Sequence, residues 1–434
     1  MGSIKTDLTD NLSVIQSHLS DTLSQLDKSK MINIAYSGGI DSTVLLHAAK
    51  KFCDSSGHKI RAIHINHQMH HDSLLWSQHC ERQCDKLHVD FKNITVDVKQ
   101  FSQHGVEGSA REARYQAFEN NLTTDDVLLT AHHADDQIET LLLQLFRGAG
   151  VHGLAACASS RVLGYSQLIR PFLNVSRAQI EHYAQQHQLL WLEDPSNQSL
   201  IHDRNYLRHE VMPLLQARWH NLPDIAARVT QWQSEAASLL DQSADEDLTY
   251  AVDEKDRLEI SKITPLDYLR QKNLLRRWIR NQKCSVPNSD ILARIVYEVM
   301  HSREDAQACV RWQNSEIRKF RGKLYLLPNM RGHDSTLSYV WNLNEALAIP
   351  SLELTLTREA LAGFGVNLTN IEQLHVRFRQ GGEVIRPKGR GCQKDLKTLF
   401  QEASVEPWLR DRIPLLFHQQ QLIFVWGYWI HEGY

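Results

Sequence analysis

The stretch that decides the fold is INIAYSGGIDST, residues 32–43, in which an apolar run ends at two glycines with an aspartate close behind. The apolar run predicts a buried strand, and VLLHAA (44–49) predicts the helix that follows it. The glycines therefore fall where a parallel strand passes into a helix, and open α/β sheets bind ligands at that edge. Glycines let backbone N–H groups approach a phosphate, and the helix N-terminus adds a favourable partial charge.

The polar residues of this stretch predict a nucleotide site that includes a metal ion. Asp41 stands at the helix start, where a bare carboxylate beside phosphate would be repelled, so we interpret it as a Mg²⁺ ligand, direct or through water. Ser37 and Ser42 provide hydroxyl donors. No Gly-Lys-Ser/Thr follows, so this is not a Walker A loop. The alternative is a glycine turn with an N-cap aspartate and no ligand, which a serine on each side makes less favoured.

Strand-like and helix-like segments alternate through the first half of the chain. This alternation predicts right-handed βαβ units and a parallel sheet covered on both faces. The predicted strands are 30–36, 60–66, 91–96 and 126–132, and the predicted helices are 9–28, 42–52, 74–87, 109–122, 134–146, 176–189 and 205–219.

Composition limits the class of protein. The chain has 434 residues, which is too many for one core, and a net charge of −3, so any nucleic-acid contact must come from local basic stretches. The densest are 270–280 and 377–397. Seven scattered cysteines without a Cys-x-x-Cys suit a reducing cytoplasm. No membrane span is predicted, because no apolar run reaches about 18 residues, and no signal peptide is predicted, because the N-terminus is polar and has no apolar core.

Several motifs together carry a resemblance to a known family. Ser-Gly-Gly-Ile-Asp-Ser resembles the PP-loop of N-type ATP pyrophosphatases. The wider set resembles the tRNA(Ile)-lysidine synthetases, although HQMHHDS (67–73) departs from the Gly-Leu-Arg-like stretch of that family. The motifs are HINHQMHHDS (64–73), EGSAREARYQAF (107–118), AHHADDQIET (131–140), FRGAGVHGL (146–154), RPFL (170–173), RNYLRHEVMPLL (204–215) and a C-terminal stretch at 384–416.

The resemblance implies three domains and a two-step reaction. We expect a parallel-sheet PP-loop ATP pyrophosphatase domain (1–220), a mostly helical tRNA- or substrate-binding domain (221–330) and a small α+β C-terminal tRNA-binding domain (331–434). The C2 oxygen of the wobble cytidine, position 34, would attack the α-phosphate of ATP and release pyrophosphate. The ε-amine of lysine would then displace AMP. The implied partners are ATP, Mg²⁺, free L-lysine and tRNA(Ile) with a CAU anticodon, with no obligate protein partner.

The carboxylates after the fourth strand have a role in this scheme. Asp136 and Glu139 stand three apart on a helix, so both face one way, where they could hold the lysine ammonium and help to deprotonate it. Free amine is scarce near neutral pH, because the lysine pKa is about 10.4. The alternative is that the two acids have no functional role and are solvated carboxylates on a surface helix. The resemblance also places His132 and Arg114 at the reacting centre, where Arg114 would balance phosphate charge.

The resemblance assigns the remaining site residues by motif. His64, with His67, His70 and His71, also suggests a metal site, but no nearby cysteine or paired carboxylate completes one, so a transition metal is disfavoured. The full set is Ser37, Gly38, Gly39, Ile40, Asp41, Ser42 and His64 for ATP; Asp41, Arg114, His132, Asp136 and Glu139 for catalysis; and Arg111, Arg170, Asn197, Arg204, Asn205, Arg208, Arg386, Lys388, Arg390 and Lys394 for tRNA or substrate.

Two other classes of protein stay open from the residues alone. Another PP-loop enzyme is one, although a tRNA thiolase would favour cysteines at defined spacing, and an amidating enzyme would need a glutaminase partner or domain. A tRNA- or nucleotide-binding protein without catalysis is the other. The presence of Asp41, Asp136 and Glu139 argues against it.

Overall fold

The computed structural model describes residues 10–68, 72–98, 105–194, 199–303, 306–330 and 332–434. The chain divides into two compact units, Met1–Leu239 and Leu240–Tyr434. The division falls inside one long helix, Leu222–Ala251. The predicted domain limits at residues 220 and 330 stay predictions.

The first unit is built on a six-stranded sheet in the order β3-β2-β1-β4-β6-β5. The strand before the glycines, β1, pairs in parallel with β2 and with β4, so it lies inside the sheet. Ile32 and Ile34 are fully buried, as an apolar strand covered on both faces requires. The strands are β1 (Met31–Ala35), β2 (Lys59–Asn66), β3 (Asp90–Thr95), β4 (Asp126–Leu129), β5 (Ser160–Leu163) and β6 (Ser166–Ile169).

Helices cover the sheet and carry the residues that follow each strand. Helix α1 contributes Ile15, Leu19 and Leu23, spaced four apart on one face, to the main core. The helices are α1 (Asp10–Leu23), α2 (Ile40–Ser56), α3 (Ser73–Leu87), α4 (Gly105–Asn121), α5 (Ala134–Phe146), α6 (Val151–Leu154), α7 (Arg177–Gln186), α8 (Asp203–Tyr206), α9 (Met212–Arg218) and α10 (Leu222–Ala251).

The sheet is mostly parallel rather than wholly parallel. Strands β5 and β6 form an antiparallel hairpin in which Leu163 pairs with Ser166 across a two-residue turn. Gly164 has a φ of +58°, as this tight hairpin turn requires. The hairpin was not predicted, because its strands are only four residues long and Val162 in β5 is largely exposed.

The predicted helix 205–219 is broken in the middle. Between α8 and α9 lies a π-helical turn, Leu207–Val211, and Pro213 stands in the first turn of α9. Proline lacks the N–H that an α-helix would use and crowds the carbonyl four residues earlier. The π turn inserts the extra residue that relieves this conflict, and such turns are frequent at functional sites.

The second unit contains a helical region with one sheet and a C-terminal region with antiparallel sheets. Helix α12 begins at the N-cap Asp267, whose carboxylate accepts from the backbone N–H groups of Leu269 and Arg270. The helices are α11 (Ile260–Ile263), α12 (Tyr268–Asn281), α13 (Ser289–Arg294), α14 (Arg358–Gly363), α15 (Leu396–Glu402) and α16 (Pro407–Arg410), with a π-helical turn at Ile295–Met300 and a 3₁₀ turn at Pro350–Leu352.

The strands of the second unit form two larger sheets, β7-β10-β9-β8 and β11-β14-β17-β18-β19, and two small pairs, β12-β13 and β15-β16. The strands are β7 (Leu258–Glu259), β8 (Cys309–Trp312), β9 (Ser315–Phe320), β10 (Lys323–Pro328), β11 (Tyr339–Asn342), β12 (Leu347–Ile349), β13 (Leu354–Leu356), β14 (Gln373–Arg377), β15 (Val384–Ile385), β16 (Lys394–Asp395), β17 (Leu415–His418), β18 (Gln421–Val425) and β19 (Trp429–Ile430). The predicted fold class is confirmed. Among the described residues, no helix has the length and apolar character needed to cross a membrane.

The basic stretch 270–280 lies on α12, and part of its charge is used to hold α10. Arg277 donates to both Asp245 and Asp241, with distances of 2.7–2.9 Å. Arg280 donates to Asp241 at 3.0 Å. These pairs hold α12 to the part of α10 that belongs to the second unit, so this stretch is a weaker candidate for binding a polyanion than its sequence indicated.

Candidate active site

The glycine-rich loop after β1 is closed by hydrogen bonds between its two serines. Ser42 Oγ accepts from the backbone N–H of Ser37 at 3.2 Å and lies 3.1 Å from Ser37 Oγ. It also donates to the Gly39 carbonyl at 3.0 Å. The predicted ATP-binding residues of this motif, Ser37, Gly38, Gly39, Ile40, Asp41 and Ser42, therefore form one compact loop at the junction of β1 and α2.

Gly38 packs tightly against two other segments of the first unit. Its φ is +85°, which disfavours any side chain, and a Cβ at this position would lie 2.9 Å from Cys80 Sγ on α3. Its carbonyl accepts from the backbone N–H of Leu192 at 2.9 Å. The path of the loop backbone is therefore fixed by its surroundings.

Asp41, the predicted Mg²⁺ ligand, is ion-paired with an arginine that the sequence analysis did not select. Arg177 Nη1 donates to Asp41 Oδ1 at 2.6 Å, and Arg177 Nε donates to Glu181 at 2.8 Å. The backbone N–H of Arg177 donates to Asp135 Oδ2 at 2.9 Å. Arg177, the first residue of α7, thus connects the loop with the start of α5. It lies 136 positions from Asp41 in the chain, so no local pattern could have found it.

His64 lies buried at the sheet edge beside the loop. Its Nδ1 is 2.9 Å from the carbonyl oxygen of Tyr36. Burial and the charge of Arg114 lower the pKa of both imidazoles, that of His67 to about 4, while the hydrogen bond to Tyr36 opposes the shift at His64. Both imidazoles are therefore neutral at pH 7, and Arg114 is close enough to act on them.

The remaining histidines of that cluster, His70 and His71, lie outside the described residues. Within the part of the chain that the structure describes, no group of three or more His, Cys, Asp or Glu side chains is arranged to hold a metal ion. A magnesium ion at Asp41 would therefore need further oxygen ligands from its substrate or from water.

The two carboxylates predicted to hold lysine are both paired with arginines. Arg204 donates to Asp136 and to Glu139, each at 2.7 Å. Arg208 donates to the two oxygens of Glu139 at 2.6 and 2.9 Å, and to Asp136 at 3.3 Å. The acids are three positions apart on α5, and the arginines are four apart across α8 and the π turn, so each pair shares a face. These four residues, which we call the site network, place Arg204 and Arg208 beside the predicted catalytic acids.

In the site network, neighbouring charges shift the pKa values of Asp136, Arg204 and Arg208 more strongly than burial does, and in the opposite direction. Burial raises the pKa of Asp136, but the charges of His133 and Arg204 and the backbone N–H of His133 lower it to about 2 overall. Burial likewise lowers the pKa of Arg204 and Arg208, yet the paired carboxylates raise both above the ordinary value. Asp136 is therefore ionised at neutral pH and is a weak base.

The adjacent histidines after β4 have pKa values shifted in opposite directions. Burial lowers the pKa of His132 to about 3. Burial also acts on His133, but three carboxylates raise its pKa overall. Its Nδ1 is 3.6 Å from Asp135, and its Nε2 is 3.5 Å from Asp136 and 3.8 Å from Asp41. His133 thus connects the loop aspartate with the site network, whereas the sequence analysis selected only His132. The signal was the His-His doublet at a strand end.

The other residues predicted to bind tRNA in the first unit have varied environments. Arg111 is exposed, with its guanidinium 5.1 Å from the ring centre of Tyr115. Arg170 is buried and donates to a backbone carbonyl before β5 at 2.5 Å. Asn205 donates to a backbone carbonyl six residues earlier at 2.9 Å. Asn197 lies outside the described residues. Roles for these residues in tRNA binding stay predictions.

Curated proteins of known name match nearly the whole chain. The tRNA(Ile)-lysidine synthase of Coxiella burnetii is 40% identical over 402 residues, which is 92% of this chain and 89% of that protein. The enzyme of the same name from Pectobacterium atrosepticum is 41% identical over 406 residues, 93% of this chain and 91% of that protein.

The chain belongs to the tRNA(Ile)-lysidine synthase family.

Three protein-family models match successive parts of this lysidine synthase chain. They are described as the PP-loop domain, at residues 11–215, the TilS substrate binding domain, at 258–325, and the TilS substrate C-terminal domain, at 374–434. Among solved structures, a U34-tRNA thiolase from Methanococcus maripaludis aligns with 52% of this chain and 80% of that chain, at 14% identity and a TM-score of 0.44. The predicted family is confirmed.

The lysidine synthase chain also carries the predicted C-terminal cations on its surface. We call them the basic patch: Arg386, Lys388, Arg390 and Lys394. Arg386 pairs with Glu432. Glu402 accepts from Arg390 at 2.5 Å and from Lys394 at 2.7 Å. Lys388 is exposed. Acidic neighbours therefore compensate part of the charge that the sequence suggested for tRNA.

Proposed function

We propose that the chain makes lysidine in two steps, first adenylating the C2 oxygen of cytidine 34 and then displacing AMP with the ε-amine of lysine. Its family membership gives the overall activity: the chain ligates lysine to cytidine 34 of tRNA(Ile). The PP-loop domain binds ATP. The observation that carries the two-step route is the chain of contacts from Asp41 through His133 to Asp136, which joins the loop to the site network. Splitting one difficult displacement into two easier steps is the usual logic of covalent activation.

The residues of the loop fit ATP with a magnesium ion. The Asp41 carboxylate and the hydroxyls of Ser37 and Ser42 are hard oxygen donors in one short segment, which is the ligand type that Mg²⁺ prefers. When bound, Mg²⁺ screens the phosphate charge and makes the α-phosphate more electrophilic. Arg177 keeps the Asp41 carboxylate in place and would release it to the metal. Arg114, beside the neutral His64, would balance charge that develops on the α-phosphate.

The site network supports a role in binding lysine. The carboxylate oxygens of Asp136 and Glu139 can accept hydrogen bonds from an ammonium group, and Arg204 and Arg208 fix their orientation. A carboxylate whose pKa lies at about 2 is a poor base, so Asp136 holds the ammonium but does not take its proton. The neutral His132 next to the network can accept a hydrogen bond without adding positive charge.

The expected partners come from the family rather than from the geometry of the site. The tRNA is the tRNA(Ile) with a CAU anticodon, the amine is free L-lysine, and the metal is Mg²⁺. A cytoplasmic location fits the seven free cysteines.

The test is to incubate a tRNA(Ile) transcript with ATP, Mg²⁺ and lysine, and to analyse nucleotides and nucleosides by mass. We expect AMP and pyrophosphate as products, and cytidine 34 heavier by one lysine less one water. We expect Asp41→Asn to lower the rate by at least about 100-fold, because the metal site loses its charged ligand.

A matched control is Asp54→Asn, which makes the same charge change on an exposed residue of the same helix α2. It should leave the rate unchanged. Formation of ADP and phosphate, or full activity of Asp41→Asn at saturating Mg²⁺, would contradict the proposal.

A further inference from the structure

A second cluster of arginines lies in the Leu240–Tyr434 unit, around a cavity of about 290 Å³. Its walls come from the two segments that match the substrate binding and the C-terminal family models, and from the chain between them. The lining includes Arg311, Arg318, His333, Trp408 and Arg412. None of these residues belongs to the site network or to the basic patch.

The strand pair β8-β9 holds two of these arginines by a single buried carboxylate. Arg311 and Glu316 are opposite each other in the antiparallel register, and Arg318 stands two residues further along β9 on the same face. Glu316 is fully buried and accepts from Arg318 Nε at 2.6 Å and from Arg311 Nε at 2.8 Å. Both arginines are therefore anchored through Nε. Arg311 also lies within hydrogen-bonding reach of the Cys309 thiol, and both guanidinium groups keep donors on their terminal nitrogens.

The C-terminal segment supplies the opposite wall. Trp408 lies on α16, and the guanidinium of Arg318 is 5.5 Å from its ring centre. Arg412 donates to the carbonyl oxygen of Ser351 at 3.1 Å. Asp411, the acidic residue of the lining, is paired with Arg379 at 3.1 Å. The described lining thus carries more arginines than carboxylates: Arg311, Arg318 and Arg412 against Asp411.

The arginines here crowd one another, which is unfavourable without an anion. Burial and the charge of Arg318 lower the pKa of Arg412, against the opposing charge of Glu316. Burial and the charges of Arg379 and Arg321 lower the pKa of Arg410. Like charges held together in the free protein are stabilised when an anion arrives.

Two buried side-chain nitrogens in the same region have no hydrogen-bond partner among the described residues. They are His333 Nε2 and Arg379 Nε. An unpaired buried polar group is costly, and a ligand that accepts from it recovers that cost. The Arg379 Nε–H can only donate and so points to an acceptor, whereas the neutral His333 ring donates from Nε2 in one of its two tautomers.

We propose that this cavity binds phosphate groups of the tRNA strand, with Arg311 and Arg412 as the contacts from its two walls. The proposal rests on tRNA being the substrate of this family. An RNA strand fits better than a single small anion, because the cations continue beyond the cavity through Arg379, Arg410 and Arg321. Arginine is suited to phosphate because its planar fork can donate two parallel hydrogen bonds. The two matched segments would then hold one stretch of backbone between them.

The test is the double variant Arg311→Gln/Arg412→Gln in the full chain, which leaves Arg318 to compensate Glu316. We expect the KM for tRNA(Ile) to rise about tenfold or more. The slope of log affinity against log salt should flatten by roughly one to two units, as expected for the loss of two phosphate contacts. The KM values for ATP and lysine, and kcat at saturating tRNA, should change little.

The matched control is Arg294→Gln, which removes an exposed arginine that is paired with Glu298 on the same stretch of helix. It should leave the KM for tRNA and the salt slope unchanged. If the double variant behaves like this control, the proposal is wrong. If the double variant folds poorly by thermal unfolding, Arg311→Gln alone serves, because the Arg311 side chain is 60% exposed. That single variant should flatten the slope by about one unit, and an unchanged slope would also overturn the proposal.

Binding experiments, which do not depend on catalysis, distinguish an RNA site from a site for a small anion. Gel-shift titration with the tRNA transcript, and calorimetric titration with inorganic phosphate, are carried out on the wild type and the double variant. Weaker tRNA binding by the variant, with no micromolar binding of phosphate by the wild type, supports the proposal. Micromolar phosphate binding that the variant loses, with unchanged tRNA affinity, would make the cavity a small-anion site. A further outcome is that the wild type forms no lysidine but still binds tRNA more tightly than the double variant does. That result would refute the proposed reaction but would still support a tRNA-binding site at this cavity.

Discussion

The site network and the basic patch pair the same kinds of charge in very different surroundings. In the site network, Glu139 has a side chain only 2% exposed and is held by two arginines. Beside the basic patch, the Glu402 side chain is 38% exposed and also accepts from two cations, Arg390 and Lys394. Water screens the exposed pairs, whose contribution to stability is small, whereas breaking a buried pair leaves an uncompensated charge. Glu139 and Glu402 each pair with two cations, but the buried pairs of Glu139 are therefore expected to matter more for stability and function than the exposed pairs of Glu402.

The largest effect is expected from Arg204→Met in the site network. This change leaves Asp136 and Glu139 with a single arginine in a buried place, so we expect the free energy of unfolding to fall by about 3 kcal/mol. Urea unfolding followed by circular dichroism measures it. The counterpart in the basic patch, Arg390→Met, should cost less than about 1 kcal/mol. If the two variants lost equal free energy of unfolding, burial would not explain the difference between the site network and the basic patch.

A change in the site network is also expected to affect the kinetics with lysine more than those with ATP. Asp136→Asn removes one charged acceptor for the lysine ammonium, so we expect kcat/KM for lysine to fall about 10- to 100-fold, the size of a lost charged hydrogen bond. The KM for ATP should change by less than about twofold. Steady-state kinetics with each substrate varied in turn measures both.

The outcome for ATP decides between two assignments. If ATP and lysine use decline equally in Asp136→Asn, the carboxylates belong to the metal of the nucleotide rather than to the amine. Asp224→Asn, an acidic residue of the first turn of α10, is the matched control and should leave both substrates unaffected.

Local patterns predicted the first sheet except for the β5-β6 hairpin, because strands β1 to β4 and the glycine turn after β1 are each encoded within a few residues. The run before Ser37 is apolar, and the strand that it forms is buried as expected. Asp136 and Glu139 were found because helical spacing puts them on one face. These features can be inferred from the spacing of residues and from the rule that parallel sheets bind ligands at the carboxyl ends of their strands.

The missed features depend on distant partners. Arg177 contacts Asp41 across 136 positions, and nothing near either residue shows that pairing. Arg204 and Arg208 were expected to bind tRNA or substrate, yet their contact with the acids on α5 arises from a π turn that periodicity does not reveal. The identity of a charged side chain is readable from sequence, but its partner is a property of the tertiary structure.

The smallest effect on stability is expected from neutralising the basic patch. Replacing Arg386, Lys388 and Arg390 by Gln together should change the free energy of unfolding by less than about 1 kcal/mol, because all three are exposed. Affinity for tRNA should nevertheless fall, with a salt slope flatter by roughly two to three units if all three meet phosphates. Affinity measured over a series of salt concentrations tests this. An unchanged slope would show that Glu402 and Glu432 already satisfy these cations.

The close packing of Gly38 determines which sequences this position tolerates. Gly57 has nearly the same φ, +82°, but a Cβ there would meet nothing within 4 Å. In a library of all single substitutions, position 57 should accept asparagine, which adopts left-handed backbone more readily than most residues. Position 38 should reject even alanine, because the backbone angle and Cys80 Sγ exclude it independently. A second substitution that shrinks Cys80 would remove only the steric obstacle, so the loop is protected by two barriers that no single compensating change can lift.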